Sequence, residues 1–339
     1  MKAVVILGAG ASADFGIPTL GGIFKDASVL RYLQFDRSLL KHLEDVFWKP
    51  RGYDLKTAGE SLTVEEMLTI LRDWEREPDA TVKPTANELT NFKKSLYIVI
   101  QRAVYDGKSS MAKCLNPLLR YMHSHTTLTT WASFNWDCIF EASYWYENSQ
   151  PLNNSFQRVG TNPKLAIPLK DWHSQSGRDE LLKLHGSIGW WMINNELTYL
   201  RFSAGGPLEK KWREYSDGRE GGDYPVLLEP SAYKYRDEVY KILEPQWSVF
   251  LSRMINADVV LIIGYSLPDL DFQARSKILT AFQANLSSKW IVIDPSKNVL
   301  DKYRRLLGRI RLTTYETTLT GFNNELDKNM ELGLMDFPL

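Results

Sequence analysis

Three polar side chains stand at the ends of short apolar runs, where they could do chemistry together. Asn135 and Asp137 close Thr129-Thr130-Trp131-Ala132-Ser133-Phe134, and His185 closes Leu181-Leu182-Lys183-Leu184. A carboxamide can orient a water or hold hydroxyl groups, and a neutral imidazole can take a proton near pH 7. Asp137 has two open roles, a ligand contact or the N-cap of a helix starting at Cys138-Ile139-Phe140-Glu141. A fourth element is Gly8-Ala9-Gly10-Ala11-Ser12-Ala13, directly after the apolar run Ala3-Val4-Val5-Ile6-Leu7. A strand that feeds a glycine turn and then a helix suits a phosphate cradle. Gly8 permits the turn, Gly10 lets backbone N–H groups approach a pyrophosphate, and Ala13 takes the third place of G-x-G-x-x-G/A. The helix N-terminus then faces the anion with its partial positive charge.

These residues need a scaffold that brings them to one edge. Two further strand patterns, Asp258-Val259-Val260-Leu261-Ile262-Ile263-Gly264 and Trp290-Ile291-Val292-Ile293-Asp294-Pro295, carry their polar punctuation at the same end. That end is the carboxyl edge of a parallel sheet, where ligands bind. Gly264 and Ser266 would line the phosphate side, and Asp294 could accept hydrogen bonds from ribose hydroxyls. A simple dehydrogenase unit would place a second strand within about thirty residues of the glycine turn. The stretch after Pro18 is patterned as helix instead.

Thr63-Val64-Glu65-Glu66 and Thr85 with Glu88 are capping boxes, and each precedes an apolar stripe at helical spacing: Val64, Met67, Leu68, Leu71 and Trp74, then Leu89, Phe92, Leu96, Val99, Ile100 and Ala103. Met111, Leu115, Leu118, Leu119 and Met122 suggest a third helix that Pro117 starts or kinks. Later helices are expected from Val239 to Met254, bent at Pro245, and after Ser296. Alternating strands and helices predict an α/β fold with a doubly wound, Rossmann-like parallel sheet. The expected organisation is one domain over residues 1–339, with a nucleotide-binding core from 1–21, 126–147 and 180–320. A helical insert spans 22–125 and loop-rich inserts span 148–179 and 194–224, the last carrying a short hairpin or a lid. The helical insert either covers the cleft or is plain core.

In order, the motifs resemble those of the sirtuin superfamily. Gly8-Ala9-Gly10-Ala11-Ser12 with Gly16-Ile17-Pro18 is similar to the family's G-A-G-x-S-x-x-x-G-I-P, Asn135-Trp136-Asp137 to its N-x-D, and Leu184-His185-Gly186-Ser187 to its catalytic histidine segment. Gly264-Tyr265-Ser266-Leu267 stands where sirtuins carry G-T-S-L, and Val292-Ile293-Asp294-Pro295 resembles their late ribose-contacting strand, commonly with Asn in place of Asp294. The departures matter as well. Cys114 and Cys138 are the only cysteines, so a four-cysteine zinc module is impossible, and Leu20 and Gly21 replace the aromatic and arginine that follow G-I-P-x. The closer likeness is to the zinc-free, sirtuin-like NAD hydrolases of bacterial antiphage defence.

That resemblance implies NAD as substrate, no metal, and a no-zinc-module form of the fold. It implies catalysis by Asn135 and His185, with NAD held by Gly8, Ala9, Gly10, Ala11, Ser12, Ile17, Pro18, Asp137, Gly264, Ser266 and Asp294. By the same likeness Asp137 would bond the nicotinamide carboxamide. The implied activity is an NAD glycohydrolase acting in abortive infection. The implied partners are further copies of the chain and a partner ATPase or a phage-derived activator. Two other readings belong to the same fold: a non-catalytic NAD or ADP-ribose sensing module, and a sirtuin-type protein deacylase, which suffers from the missing zinc module.

Composition bounds the rest. A chain of 339 residues with 44% apolar residues can bury a large core. Lys+Arg and Asp+Glu balance at 41 each, which argues against a nucleic-acid or membrane surface. Met1-Lys2 leads straight into an apolar strand without a signal-peptide pattern, and a cytoplasmic location is expected. His42, His123, His125 and His173 read as surface or packing residues, Cys138 as a small buried hydrophobe, and the eleven tryptophans as core anchors. Asp269 and Asp271 read as caps of the helix bearing Phe272, Ile278, Leu279 and Phe282.

Overall fold

Strand formation follows the β-branched runs. In chain order the strands are β1 (Lys2–Leu7), β2 (Leu128–Ser133), β3 (Gln157–Arg158), β4 (Ile167–Pro168), β5 (Asp179–Lys183), β6 (Gly186–Ile193), β7 (Glu196–Tyr199), β8 (Tyr224–Leu227), β9 (Val259–Ile263), β10 (Lys289–Ile293) and β11 (Leu312–Tyr315). The computed structural model describes residues 1–19, 41, 44–53, 63–77, 85–106, 115–147, 157–158, 167–168, 179–200, 206–219, 221–308 and 311–331. Expectations that fall on Leu20, Gly21, His42, Met111, Cys114 and His173, and on most of 148–179, lie outside these residues.

The main sheet runs β11-β10-β9-β1-β2-β5-β4, parallel throughout except for β4, which is antiparallel to β5. Without that edge strand the order is 3-2-1-4-5-6 counted along the chain, the doubly wound order of dinucleotide folds. The expected α/β sheet is present. Its direction of growth reverses at β1, between β2 on one side and β9 on the other, so the ligand crevice belongs at the carboxyl ends of β1 and β9. β1 and β2 are neighbours in the sheet although the whole helical segment separates them in sequence.

Because both faces of the sheet are covered, its central strands β1, β9 and β10 are apolar almost throughout rather than alternating. Val5, Leu7, Leu261 and Ile263 enter one core, and Val4, Ile6, Val260 and Ile262 the other. The first face is covered by helices that follow the N-terminal helix α1 (Ala9–Ala13): α2 (Val64–Arg76), α3 (Ala86–Asp106) and α4 (Asn116–His125). Val64, Met67, Leu68 and Leu71 of α2, Leu89, Phe92 and Leu96 of α3, and Leu118, Leu119 and Met122 of α4 join that core. Both capping boxes form, with Glu66 N–H on Thr63 Oγ1 and Glu88 N–H on Thr85 Oγ1, each 3.2 Å. Pro117 lies in the first turn of α4 and starts it.

Next in the chain come α5 (Ile139–Glu147), α6 (Pro207–Ser216) and α7 (Glu238–Ile255), then α8 (Phe272–Ala284), α9 (Lys297–Leu307) and α10 (Leu319–Glu331). The second face is covered by α7, α8 and α9 through Trp247, Phe250, Ile278, Phe282, Leu300 and Tyr303.

A second, antiparallel sheet has the order β3-β7-β6-β8. Within 194–224 it supplies β7, the second arm of a hairpin with β6, and the start of β8. The hairpin turn is Asn194-Asn195, both with positive φ (50° and 62°), as a tight two-residue turn requires. After it, Gly206 and Pro207 start α6, whose Trp212 packs edge-on against Trp191 at 5.0 Å. Aromatic burial turned a loop-like composition into ordered structure.

Candidate functional site

Register lines up the carboxyl ends of the parallel strands. Leu7 pairs with Ser133 and Ile263, Ser133 with Lys183, and Ile263 with Ile293, so Gly8, Phe134, Leu184, Gly264 and Asp294 follow at one edge. Asn135 and His185 each stand one residue further on.

Glycine acts at this edge by letting two backbones touch. Gly10 N–H donates to Gly264 O at 2.8 Å, and Gly8 N–H to Ile263 O at 3.0 Å. Gly264 has φ +60°, and a Cβ there would sit 2.2 Å from Ala11 N. A Cβ on Gly8 would sit 2.3 Å from Tyr265 Cα. The N–H of Gly10, which the sequence reading offers to a pyrophosphate, is therefore engaged with the neighbouring loop. Leu267, buried and with φ 52°, holds the same loop in a conformation rare for a large side chain.

A buried network then joins the loop after β1 to the loop after β2. The Asn135 Nδ2 group donates to Gly8 O at 2.8 Å and to Ser12 Oγ at 2.9 Å. Ser12 Oγ–H donates to Asp137 Oδ2 at 2.7 Å. Asp137 Oδ1 accepts the Ile139 N–H at 2.9 Å, so the capping role of Asp137 is realised while its other oxygen serves the network. With both Asn135 N–H groups in use, its carbonyl oxygen is the atom left for a ligand.

His185 lies in the turn between β5 and β6, where the main sheet gives way to the small one. Gly186 follows with φ +80°, and its Cβ would fall 1.9 Å from Val226 O. Leu228 N–H donates to His185 O at 3.0 Å, and the ring meets Phe134 edge-on at 5.1 Å. Its Nε2 is buried 3.3 Å from Asp271 Oδ2 without the alignment of a hydrogen bond. Asp271 occupies the N-cap position of α8, yet its side chain caps nothing, which corrects the sequence reading. Its Oδ2 instead accepts the Tyr265 hydroxyl at 2.7 Å and lies 3.5 Å from Lys234 Nζ, which in turn reaches Glu65 Oε1 at 2.8 Å. Burial would raise the Asp271 carboxyl, but Lys234, His185 and the Tyr265 hydroxyl together hold it well below the ordinary carboxylate range. Burial likewise pushes Lys234 down, and Asp271 and Glu65 more than reverse it.

A second buried charge pair lies behind the loop. Lys183 Nζ donates to Asp137 O at 2.6 Å and stands 3.5 Å from Glu141 Oε1, both side chains enclosed. Burial raises the Glu141 carboxyl, against the pull of Lys183. Ser187 donates to the same Glu141 oxygen at 3.1 Å.

The remaining predicted residues lie around this edge. Ile17 is buried beyond α1 with Pro18 next to it, Ala9 and Ala11 belong to α1, and Ser266 is exposed. Asp294 ends β10 and accepts the Ser296 N–H at 2.8 Å, while burial raises its carboxyl. Asp269 pairs with Lys302 and Arg275 at the surface. His123 bonds Asp179, His125 bonds Tyr121 O, and Cys138 is buried, all packing roles. Lys234, Glu65 and Lys183 escaped the sequence reading. Only Lys183 carries a local signal, a charge inside an apolar strand. Among the described residues no group of three or more His, Cys, Asp or Glu is placed to hold a metal, and no helix is long and apolar enough to cross a membrane.

Comparison with known proteins adds a family. A SIR2-like domain matches residues 129–315. Among solved structures, the chain is similar to a Sir2 crystallised with the inhibitor EX-527, 2'-O-acetyl-ADP-ribose and a deacetylated p53 peptide. It is 12% identical to it, over 99% of this chain and 95% of that one, with a TM-score of 0.44. No curated protein sequence matches.

Proposed function

We propose, from the premise that this chain belongs to the SIR2-like family, that it binds NAD at the β1/β9 crevice and hydrolyses the nicotinamide–ribose bond to nicotinamide and ADP-ribose. The observation that carries this reading is the Ser12–Asn135–Asp137 network, which fixes a carboxamide beside the α1 turn at the edge that also bears His185. The pyridinium is already a good leaving group and departs neutral with the bonding electron pair. The site therefore needs no acid. It needs a held pose, dipoles for an oxocarbenium-like ribose, and a placed water. Asn135 Oδ1 orients that water or a ribose hydroxyl. As the water oxygen bonds to the ribose carbon, His185 takes its proton and later returns it to solvent.

Gly264, Ser266 and the α1 turn would hold the phosphates, Ile17 and Pro18 would flank them, Asp137 the carboxamide, and Asp294 the adenosine ribose. In this reading the protein is an abortive-infection effector in the cytoplasm that works as a homo-oligomer, released by a partner ATPase or a phage-derived activator. The organisation that goes with it is one domain, with 22–125 inserted between the first two core strands.

Purified protein incubated with NAD, alone and with phage lysate, is resolved by chromatography for nicotinamide, ADP-ribose and cyclic product. Nicotinamide release is expected, and Asn135→Ala and His185→Ala should each lower it by about a hundredfold. Wild-type protein that binds NAD yet never releases nicotinamide defeats the hydrolase and favours the sensing module.

A further inference from the structure

His185 is surrounded by more charge than a lone base requires. Asp271 is 2% exposed, and its Oδ2 faces His185 Nε2, Lys234 Nζ and the Tyr265 hydroxyl at once. The carboxylate stands at a helix N-terminus with free N–H groups within a residue or two, where an aspartate ordinarily turns to cap. It turns to the imidazole instead. Lys234 closes the arrangement by pairing with Glu65 on α2, so two carboxylates share one ammonium. The imidazole of His185 completes the group at its Asp271 end.

The segment that carries Lys234 is itself clamped to α2. Ala232 N–H donates to Thr69 Oγ1 at 3.0 Å, Arg72 grips Glu229 at 2.7 Å, and the Tyr233 hydroxyl donates to Asp73. Its other end begins at Leu228, whose N–H holds the His185 carbonyl. Both the backbone and the ring of His185 are thus tied to elements that meet α2.

We propose that Asp271 is a positioning residue that accepts the Nε2–H of His185 once a small turn of the ring brings the 3.3 Å pair into line, fixing the tautomer in which Nδ1 takes the proton, and that Lys234 with Glu65 of α2 holds Asp271 in that place. The inference rests on the reading of His185 as the base, and it adds a function for the helical segment: α2 supplies part of the support for the reacting imidazole. An Asp271 carboxylate also favours the imidazolium as it forms, as buried aspartates do for histidine bases elsewhere.

The test uses the full chain with 15N-labelled histidine, and His185 is assigned by comparison with His185→Gln. At a pH where the ring is neutral, wild-type protein should show His185 as the Nε2–H tautomer without any NAD present. Asp271→Asn should lose that preference. In NAD turnover it should lower kcat about a hundredfold while KM stays within about threefold. Glu65→Gln, which alters a residue outside the sheet edge, should keep the fold and lower kcat about tenfold. A wild-type Nδ1–H tautomer, or an unchanged tautomer in Asp271→Asn, overturns the proposal. If Asp271→Asn does not fold, an unchanged kcat in Glu65→Gln overturns it. Because the tautomer is read without substrate, a protein that never cleaves NAD defeats the hydrolase reading and leaves this result to stand or fall alone.

Discussion

The two halves of the cleft are held by different physics. Around β1 and β9 the contacts are backbone on backbone, with Gly8, Gly10 and Gly264 touching and hydrogen bonds from Asn135 and Ser12 closing the seam. Around β5 the contacts are charge on charge, with His185, Asp271, Lys234 and Glu65 on one side and Lys183 with Glu141 on the other. The first half tolerates no added volume, and the second depends on charges that are shared between elements. A rigid seam suits the binding of a phosphate-bearing ligand. A polarised pocket suits a group that gains and loses a proton.

The largest effect expected falls on the seam. Gly264→Ala adds a Cβ 2.2 Å from Ala11 N at a positive φ, and should destabilise the protein by about 4 kcal/mol or more in urea denaturation. A midpoint close to wild type would mean that the two loops can part freely, and the contrast would fail. Next comes Lys183→Met, which strands Glu141 in the core and should cost about 3–5 kcal/mol. Adding Glu141→Gln should recover most of that loss, and a double variant no better than the single one would show that volume rather than charge governs this half.

Ser12→Ala removes one uncharged side chain from the network and leaves Asp137 Oδ2 and an Asn135 N–H without it, at a cost of about 1–3 kcal/mol. Changes in pH sharpen the same contrast, with no effect at neutrality. Asp271 is depressed in the folded state, so its contribution is complete above the unfolded value of about 3.9 and is lost as pH falls below it. Between about pH 5 and about pH 3, wild-type stability should fall more steeply than that of Asp271→Asn. Parallel slopes would remove the charge of Asp271 from the account.

The seam was legible in the sequence because each part is local. A β-branched run, a glycine turn and a helix start lie within a few residues at β1, and four further strand patterns carry their polar residues toward the same edge. The charged half was not legible in the same way. Asp271 precedes Phe272 as any N-cap would, and only Lys234 and His185, far away in sequence, draw its side chain elsewhere. Lys183 did show as a charge within Leu181-Leu182-Lys183-Leu184, but its partner Glu141 belongs to another element. The small sheet escaped for a related reason. β3 spans two residues, too few for any periodicity, and its pairing with β7 is long-range.

The placement of β1 at the centre of the sheet has a consequence for synthesis. Its residues 2–7 are made before both of their neighbours, residues 128–133 and 259–263. Val4, Val5, Ile6 and Leu7 must wait, apolar, for β2 on one side and for longer still for β9 on the other. Contacts of such sequence separation form slowly, and an exposed strand of this kind is a target for chaperones or for aggregation. Ser12 and Asn135 can meet once β2 has docked on β1, whereas His185 finds Asp271 only after β9 and the turn that follows it are made. A nascent chain thus carries each motif as soon as it is made, but brings the two halves of the edge together only when the later core strands have docked.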